Sequence, residues 1–309
     1  MGTIAQPIIF FGTEDFSLIA LQALVEYNFI IAAVVTKPDT PRGRGNKLTE
    51  PAVKTFAQSH GIPVWQPIKM ADIRDDIKTI DTPIGVLVSF GKIIPQSIID
   101  LFSLGIINIH PSLLPKYRGP SPIETTVKNG DSLTGVSIMR IDAKMDAGPV
   151  YAQQTYTLSG KEDSIQLYDT LGAIGATMLV TTLPLIASQE LAPAEQSEAD
   201  ASYCTMITKA DGIIDWSLSS DAIERNIRAY RQWPQSRTAL GGIDCIIVSA
   251  RSITSDNRQA TPGSISLTDT SLRVNCGQGQ LEIITIKPIG KKEMPISAFL
   301  SGYSAKLAI

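Results

Sequence analysis

Cysteine is scarce in this chain of 309 residues, and the three that occur, Cys204, Cys245 and Cys276, lie far apart. Their odd number and wide spacing exclude a disulfide framework and a zinc site built from close cysteine pairs. None of them lies in a motif that would activate a thiol. We therefore expect reduced cytosolic thiols, and neither a catalytic cysteine nor a bound metal.

Long apolar runs are also missing: no stretch approaches the roughly 20 residues that a membrane-spanning helix needs. The first seven residues contain no basic region ahead of an apolar core, which argues against a signal peptide. Position 6 is glutamine, so the start does not fit N-myristoylation. We expect a cytoplasmic protein without a membrane segment.

Histidine occurs only twice. His60 precedes Gly61 at the predicted end of a helix, where capping or solvent exposure is the ordinary role. The first apolar run ends at Gly12, but the full Gly-x-Gly-x-x-Gly pattern is absent, which excludes a typical dinucleotide-binding turn. His110 is therefore the histidine to examine for chemistry.

The length favours two domains. Apolar runs that alternate with helical patterns lie at 8–11, 30–35, 84–89 and 106–110. Buried strands separated by helices predict an α/β domain with a doubly wound, mostly parallel sheet. A long amphipathic stretch over 164–186 is predicted to be the last helix of this domain, which we place at residues 1–188.

The composition changes after residue 188. Residues 189–206 are rich in Ala, Glu and Ser, which is typical of a surface linker. Residues 207–309 contain about five short alternating runs between turn residues, which predicts a small open barrel. This part carries 12 Lys and Arg against 9 Asp and Glu, whereas the whole chain has a net charge of −3. A basic second domain is compatible with RNA contact without establishing it.

A polar pair ends one of the predicted buried strands. Asn108 and His110 are two residues apart, so on an extended backbone both side chains project from one face. The carboxyl end of such a strand is where open α/β sheets bind ligands. Taken alone, the pair can equally be a strand-end cap. The segment that follows it, residues 112–119, favours a functional role.

Residues 112–119 read Ser-Leu-Leu-Pro-Lys-Tyr-Arg-Gly. This segment resembles the SLLP-[KR]-x-[RK]-G signature of the 10-formyltetrahydrofolate-dependent formyltransferases, and Asn108, His110 and Asp146 match the catalytic trio of that family. Similar blocks follow the family's order at 12–16, 37–39, 43–45, 213–216, 233–234 and 288–294. They resemble the family members that act on methionyl-tRNA, and they cover nearly the whole chain.

The resemblance implies transfer of the formyl group of 10-formyltetrahydrofolate to the amino group of initiator methionyl-tRNA. The donor is already activated, so no protein nucleophile is needed. Asn108 would donate an amide N–H to the developing oxyanion. His110 would donate to the same oxygen or shuttle a proton, and Asp146 would orient the imidazole or accept the amine proton through water. The sequence leaves these proton routes open.

The resemblance also implies the substrate contacts. Those to folate, largely through the main chain, are Ser112, Leu113, Leu114, Pro115, Leu87, Ser89, Gly91 and Arg140. The loop 37–47 carries four positive charges and one negative, and an exposed basic loop suits a tRNA end. Its expected tRNA contacts are Arg42, Arg44 and Lys47. Arg118 is expected to be structural or to face tRNA, and the second domain to be an OB-like, tRNA-binding barrel.

Other functions remain open at this point. A formyltransferase acting on an amino-sugar nucleotide would share the trio and a similar second domain, although the basic loop and the Gly290-Lys291-Lys292 block favour tRNA. A phosphoribosyl-glycinamide formyltransferase would normally lack the second domain. A non-catalytic RNA-binding protein would leave the trio unexplained. We expect a monomer.

Overall fold

The computed structural model describes residues 4–42, 47–255, 260–268 and 270–307. The chain forms two compact units. The first comprises Met1–Gly119, Leu133–Thr157 and Tyr168–Cys204, and the second comprises Pro120–Ser132, Leu158–Leu167 and Thr205–Ile309. Two short central segments therefore belong to the second unit, and the division into 1–188, 189–206 and 207–309 stays a prediction.

The first elements in chain order are β1 (Ile8–Gly12), α1 (Asp15–Glu26), β2 (Ile31–Val35), β3 (Thr40–Arg42), β4 (Lys47–Thr49), α2 (Ala52–Ser59), β5 (Val64–Trp65), α3 (Arg74–Lys78), β6 (Ile84–Val88), α4 (Gln96–Ile99), β7 (Ile106–His110), α5 (Pro122–Asn129), β8 (Leu133–Arg140), β9 (Val150–Thr157) and α6 (Ser164–Ala187). They are followed by α7 (Ser220–Ala229), β10 (Ser236–Leu240), β11 (Ile243–Ile253), β12 (Ile265–Leu267), β13 (Leu272–Asn275), β14 (Gln280–Pro288), β15 (Met294–Pro295) and α8 (Ile296–Leu307).

Seven strands of the first unit form one sheet in the order β5-β2-β1-β6-β7-β8-β9. The first five in this order run parallel, whereas β8 pairs antiparallel with both β7 and the edge strand β9. The apolar runs of the sequence become central strands, and β1 is buried at every residue. The predicted doubly wound, mostly parallel sheet is confirmed.

Strand β7 presents its two faces to different neighbours. A Cβ added to Gly175 of α6 would lie 2.6 Å from Cγ2 of Ile109, so this helix packs directly on the Ile109 face. Ile106 belongs to the apolar cluster that includes residues of α3 and α4. Because side chains alternate along a strand, Asn108 and His110 project on the Ile106 face, away from α6.

Helix α6, with 24 residues, is the one helix within the described ranges that is long and apolar enough to cross a membrane, so the expectation that no apolar stretch approaches that length is wrong. Half of its most apolar window is buried inside the protein. Gly172 approaches α1 closely, since a Cβ there would lie 2.6 Å from Cδ1 of Ile19. Close contacts with α1 and β7 assign α6 to the core of the first unit.

The strand order reverses at β1, which has β2 on one side and β6 on the other. The crevice outside the carboxyl ends of the strands at such a reversal is the usual ligand site of an open α/β sheet. Thr13, directly after β1, ties the loops there. Its Oγ1 donates to the carbonyl of Phe90 at 3.1 Å and accepts from the N–H of Lys37 at 3.3 Å. The ends of β1, β2 and β6 are thereby fixed close to one another.

The second unit is built on an antiparallel sheet in the order β10-β11-β14-β13-β12, with β15 paired to β14. Its core combines strand residues with Ile223 and Ile227 of α7 and Phe299 of α8. The antiparallel sheet curls into a half-barrel, which confirms the small open barrel predicted for this part of the chain.

Candidate active site

The buried strand β7 carries the polar pair. Asn108 is 6% exposed and His110 is 4% exposed. In the sheet register, Asn108 stands opposite Leu87 of β6, and His110 stands opposite Ser137 of β8. The neighbouring strands therefore fix the positions of both side chains at the carboxyl end of β7.

The imidazole of His110 has defined hydrogen-bond roles. Its Nε2 lies 3.0 Å from the carbonyl oxygen of Tyr117. A carbonyl only accepts, so Nε2 carries a hydrogen and donates it. In the neutral ring Nδ1 then keeps a lone pair, and it lies 3.7 Å from Oδ2 of Asp146. Nδ1 is therefore the nitrogen that can take up a proton, and the neighbouring carboxylate would stabilise the resulting charge.

Asp146 reaches His110 from the loop between β8 and β9. Its Oδ2 accepts the backbone N–H of Gly119 at 2.8 Å. The residue has φ of 49°, a left-handed conformation that is uncommon for residues other than glycine. The signature segment and the Asp146 loop are thus joined by a charge-assisted hydrogen bond directly beside His110.

Asn108 differs from its neighbours in having no hydrogen-bond partner for its side chain among the residues that the structure describes. Buried amides are nearly always paired within the protein, with water or with a ligand. The unpaired amide of Asn108 lies on the same strand face as the paired imidazole of His110. This arrangement suits a group that binds a substrate oxygen.

The Ser112–Pro115 turn is held rigidly next to β8. Ser137 Oγ donates to the carbonyl of Ser112 at 2.6 Å and accepts the N–H of Leu114 at 3.1 Å. Ser112 Oγ donates to the carbonyl of Lys116 at 2.6 Å. Since Ser137 also stands opposite His110, these bonds fix the turn relative to β7.

Two family models match this chain. A formyl transferase model matches residues 7–183, and a model of the formyl transferase C-terminal domain matches residues 206–304. The chain belongs to the formyl transferase family.

Relatives of this formyltransferase match it over nearly the full length. The methionyl-tRNA formyltransferase of Citrifermentans bemidjiense is 36% identical over 96% of this chain and 93% of its own. The methionyl-tRNA formyltransferase of Agathobacter rectalis is 39% identical over 96% of this chain and 96% of its own. The predicted membership of the formyltransferase family, and with it a transferase activity, is confirmed.

A solved structure has the same fold at low identity. The N-formyltransferase from Helicobacter canadensis, in complex with folinic acid and dTDP-3-aminofucose, aligns with a TM-score of 0.68 over 94% of this chain and 100% of that chain. The sequence identity is 17%, so this likeness concerns the fold alone.

The structure places the residues predicted to bind folate in different surroundings. Leu87 lies beside Asn108, and Ser89 and Gly91 continue from β6 with positive φ of 44° and 67°. Arg140 stands opposite Ile107, so its side chain lies on the other sheet face from the trio. Its contact with folate, predicted to be through the main chain, stays a prediction.

The signature turn of the formyltransferase offers few free polar groups to a ligand. The Ser112 hydroxyl and the Leu114 N–H are engaged inside the protein, as described above. Leu114 and Pro115 line a cavity of about 300 Å³ between β9 and residues 194–197. Contact of folate with Ser112, Leu113, Leu114 or Pro115 stays a prediction. Because their polar groups are engaged, such a contact would depend mainly on the shape of the turn.

The basic loop forms a short antiparallel ribbon. Strands β3 and β4 pair so that Arg42 stands opposite Lys47, while Arg44 lies outside the described residues. Asp39 anchors the base of the ribbon, because its carboxylate accepts from Lys54 at 2.7 Å and from Gln66 at 2.8 Å. These bonds, with that of Lys54 foremost, hold the pKa of Asp39 below its usual value.

Arg118 is a buried structural residue of this formyltransferase, with no exposed surface. Its Nη1 donates to both carboxylate oxygens of Glu198 at 3.0 and 3.1 Å, and to the Tyr203 hydroxyl at 3.0 Å. Burial would lower the pKa of Arg118, but the hydrogen bonds with Tyr203 and Glu198 outweigh it and raise that pKa. Of the two roles that the sequence left open, the structure gives Arg118 the structural one.

Several contacts of the site were missed by sequence reasoning. The Tyr117 carbonyl and the Gly119 N–H hold His110 and Asp146, and backbone groups leave no side-chain signature. The alternation of side chains along β8 assigns Ser137 to one face of the strand, and its contribution to the site could have been predicted from that pattern. Gln196 contacts the Asp146 loop from the segment that composition assigns to a linker, so nothing in the sequence indicated it.

Cys245 and Cys276 lie in the core of the second unit, where burial raises their pKa values to about 12 and about 11. Cys204 is likewise buried and is not bonded to another cysteine. Within the described ranges, no group of three or more His, Cys, Asp or Glu side chains could hold a metal ion.

Proposed function

We propose that this chain transfers the formyl group of 10-formyltetrahydrofolate to the amino group of initiator methionyl-tRNA, giving N-formylmethionyl-tRNA for translation initiation. The observation that carries the chemistry is the meeting of Asn108, His110 and Asp146 at the end of β7. The choice of acceptor is supported by the methionyl-tRNA formyltransferases that match both units of the chain.

The residues around the crevice fit the formyl donor. In the donor the formyl group is an acyl group on N10, so the site needs a hydrogen-bond donor for its oxygen and a path for a proton, without a protein nucleophile. The buried amide of Asn108 supplies an unused donor. Leu87 offers an apolar neighbour, and Ser89 and Gly91 follow it in left-handed backbone conformations.

Each member of the trio has a distinct task in this proposal. Asn108 Nδ2–H donates to the formyl oxygen while that oxygen gains negative charge. His110 Nδ1 takes the proton that the acceptor amine loses, as the amine forms its bond to the formyl carbon. Asp146 stabilises the imidazolium at 3.7 Å until His110 returns the proton to N10, whose bond to the formyl carbon breaks.

Asp146→Asn should impair the reaction step and leave folate binding mostly intact. The amide keeps the shape of the carboxylate, but it cannot stabilise a charged imidazole, and its acceptor strength toward the Gly119 N–H falls. We expect kcat to fall by about a hundredfold or more. Single-turnover rates together with calorimetry on a stable folate analogue measure both quantities. A loss confined to folate affinity would make Asp146 a ligand-binding residue instead.

The ribbon formed by β3 and β4 serves the tRNA in this proposal. Arg42→Ala should raise KM for methionyl-tRNA by an amount equivalent to about 1–3 kcal/mol of binding free energy, as expected for the loss of one contact to phosphate or base. Folate affinity should not change. The matched control is Arg74→Ala, which removes an exposed arginine elsewhere in the first unit. Both are compared through KM for methionyl-tRNA at several salt concentrations. If the two variants had the same KM for methionyl-tRNA, the ribbon would have no specific role in tRNA binding.

The acceptor is decided by a direct comparison. The purified chain is given 10-formyltetrahydrofolate with methionyl-tRNA in one reaction and with a dTDP-amino sugar in another. The second candidate is favoured by the fold that this chain shares with the Helicobacter canadensis N-formyltransferase. We expect formyl transfer to methionyl-tRNA with at least a hundredfold higher kcat/KM, a ratio that about 3 kcal/mol of specific contacts would supply. The opposite ratio would replace the proposed acceptor.

We also propose that the enzyme works in the cytoplasm as a monomer. Its relatives are bacterial methionyl-tRNA formyltransferases, and charged tRNA is a cytoplasmic substrate. Sedimentation equilibrium at the concentration used in the assay tests the oligomeric state.

A further inference from the structure

Gln196 ties the loop of Asp146 to the segment that precedes the second family match. Its side-chain Nε2 lies 2.8 Å from the carbonyl oxygen of Asp146 and 2.6 Å from that of Gly148. One amide group therefore donates to two carbonyls of the loop that carries the proposed catalytic carboxylate.

The orientation of this amide is uniquely determined. Its Oε1 accepts from Nε of Arg118 at 3.0 Å. An arginine only donates and a carbonyl only accepts, so a rotation that exchanged Oε1 and Nε2 of Gln196 would break all three bonds. Arg118 thereby selects the side of the amide that faces the Asp146 loop.

Arg118 is itself held by both its backbone and its side chain, so it can act as a fixed point. Besides its side-chain bonds, its N–H donates to the Ser202 carbonyl at 2.9 Å, and its carbonyl accepts from the N–H of Cys204 at 2.8 Å. The segment that contains Gln196 is thus bonded to Arg118 of the signature motif through Ser202 and Cys204. The guanidinium has no exposed surface and cannot turn toward solvent.

The Asp146 loop needs such support because of its backbone conformation. A non-glycine residue at φ of 49° lies in a region that costs about 1 kcal/mol or more, and it stays there only where its surroundings impose it. The Gly119 N–H holds only the side chain of Asp146, whereas Gln196 holds its backbone. If the backbone relaxed, the carboxylate would leave its position beside Nδ1 of His110.

We propose that Gln196, oriented by Arg118, is a positioning residue that keeps the Asp146 carboxylate beside His110. This inference rests on the catalytic role proposed for Asp146 and adds a residue that has no part in the trio. A shift of about 1 Å in a reacting group can cost a hundredfold in rate, so the effect on catalysis should be large.

Gln196→Glu tests the proposal with the least change in shape. Glutamate keeps an acceptor for Arg118 but has no N–H, and its charge faces the two loop carbonyls. We expect kcat to fall about tenfold to a hundredfold, while KM for both substrates and the melting temperature change little. The matched control is Gln154→Glu on β9, whose side chain is exposed and makes no hydrogen bond within the described part of the chain. It should keep the wild-type kcat.

A double-mutant cycle separates positioning from general structural support. If Gln196 acts through the carboxylate, Gln196→Glu should lower the single-turnover rate of the Asp146→Asn enzyme less than threefold, since the group to be positioned is gone. An equal loss in both backgrounds would overturn the proposal, as would an unchanged kcat in the single variant. Should the wild type formylate an amino sugar and not methionyl-tRNA, the cycle is measured with that acceptor, because the role of Gln196 concerns Asp146 whichever amine reacts.

Discussion

Replacing His110 with alanine should reduce formyl transfer by about a hundredfold to ten-thousandfold, the usual contribution of a positioned acid–base group. The structure gives the reason: Nε2 is committed to the Tyr117 carbonyl, and Nδ1 is the nitrogen beside Asp146 that can move a proton. Folate affinity should change little, because the proposal gives His110 a task in the reaction step. The measurement is the single-turnover rate at saturating folate and tRNA.

Two further variants make this result interpretable. His110→Asn keeps a polar amide at this position but removes the ring nitrogen that accepts the proton in the proposal, so it should be nearly as slow as the alanine variant. His60→Ala removes the other histidine, which is exposed and bonded to Phe56 in α2, and should keep the full rate. A folded His110→Asn enzyme with near-wild-type turnover would refute the proton route.

Asn108→Ala should cost about a hundredfold to a thousandfold in kcat, as removal of one oxyanion donor commonly does. The free protein should tolerate the change well. The Asn108 side chain has no partner among the described residues, so truncating it leaves no other group there unpaired. Thermal melting should therefore show a small change beside a large loss of activity.

The converse outcome for Asn108 is equally informative. A large fall in melting temperature together with a modest loss of rate would mean that Asn108 supports the strand end and does not bind substrate. Calorimetry with a folate analogue that lacks the formyl oxygen provides the control. Its affinity should be the same for the wild type and Asn108→Ala, because the missing hydrogen bond concerns that oxygen.

The central strands, β7 among them, were predictable because local pattern and burial agree there. Apolar runs such as 8–11 and 84–88 have no alternation, and only a sheet covered on both faces buries such strands. The two-residue spacing of Asn108 and His110 was sufficient to place both on one face. The convergence of Asp146 came from the family resemblance, since no local pattern relates residues 36 positions apart.

Other features depend on tertiary contacts that the sequence does not display. Helix α8 (Ile296–Leu307) was not predicted, and it buries Phe299 against the half-barrel. Strand β10 was missed because Ser236–Leu240 has an irregular burial pattern and gains its place by pairing with β11. The sheet register turns the Arg140 side chain away from the trio, and the role of Gln196 arises only when residues 146 and 196 meet.

The most direct test of the account is to identify the product. The purified enzyme is incubated with 10-formyltetrahydrofolate and initiator methionyl-tRNA, and the aminoacyl ester is then hydrolysed. The released amino acid is identified by its mass in a mass spectrometer. We predict N-formylmethionine from the wild type, and about a hundredfold less of it in the same time from folded Asn108→Ala and His110→Asn enzymes. Unmodified methionine from the wild type, or equal yields from all three proteins, would contradict it.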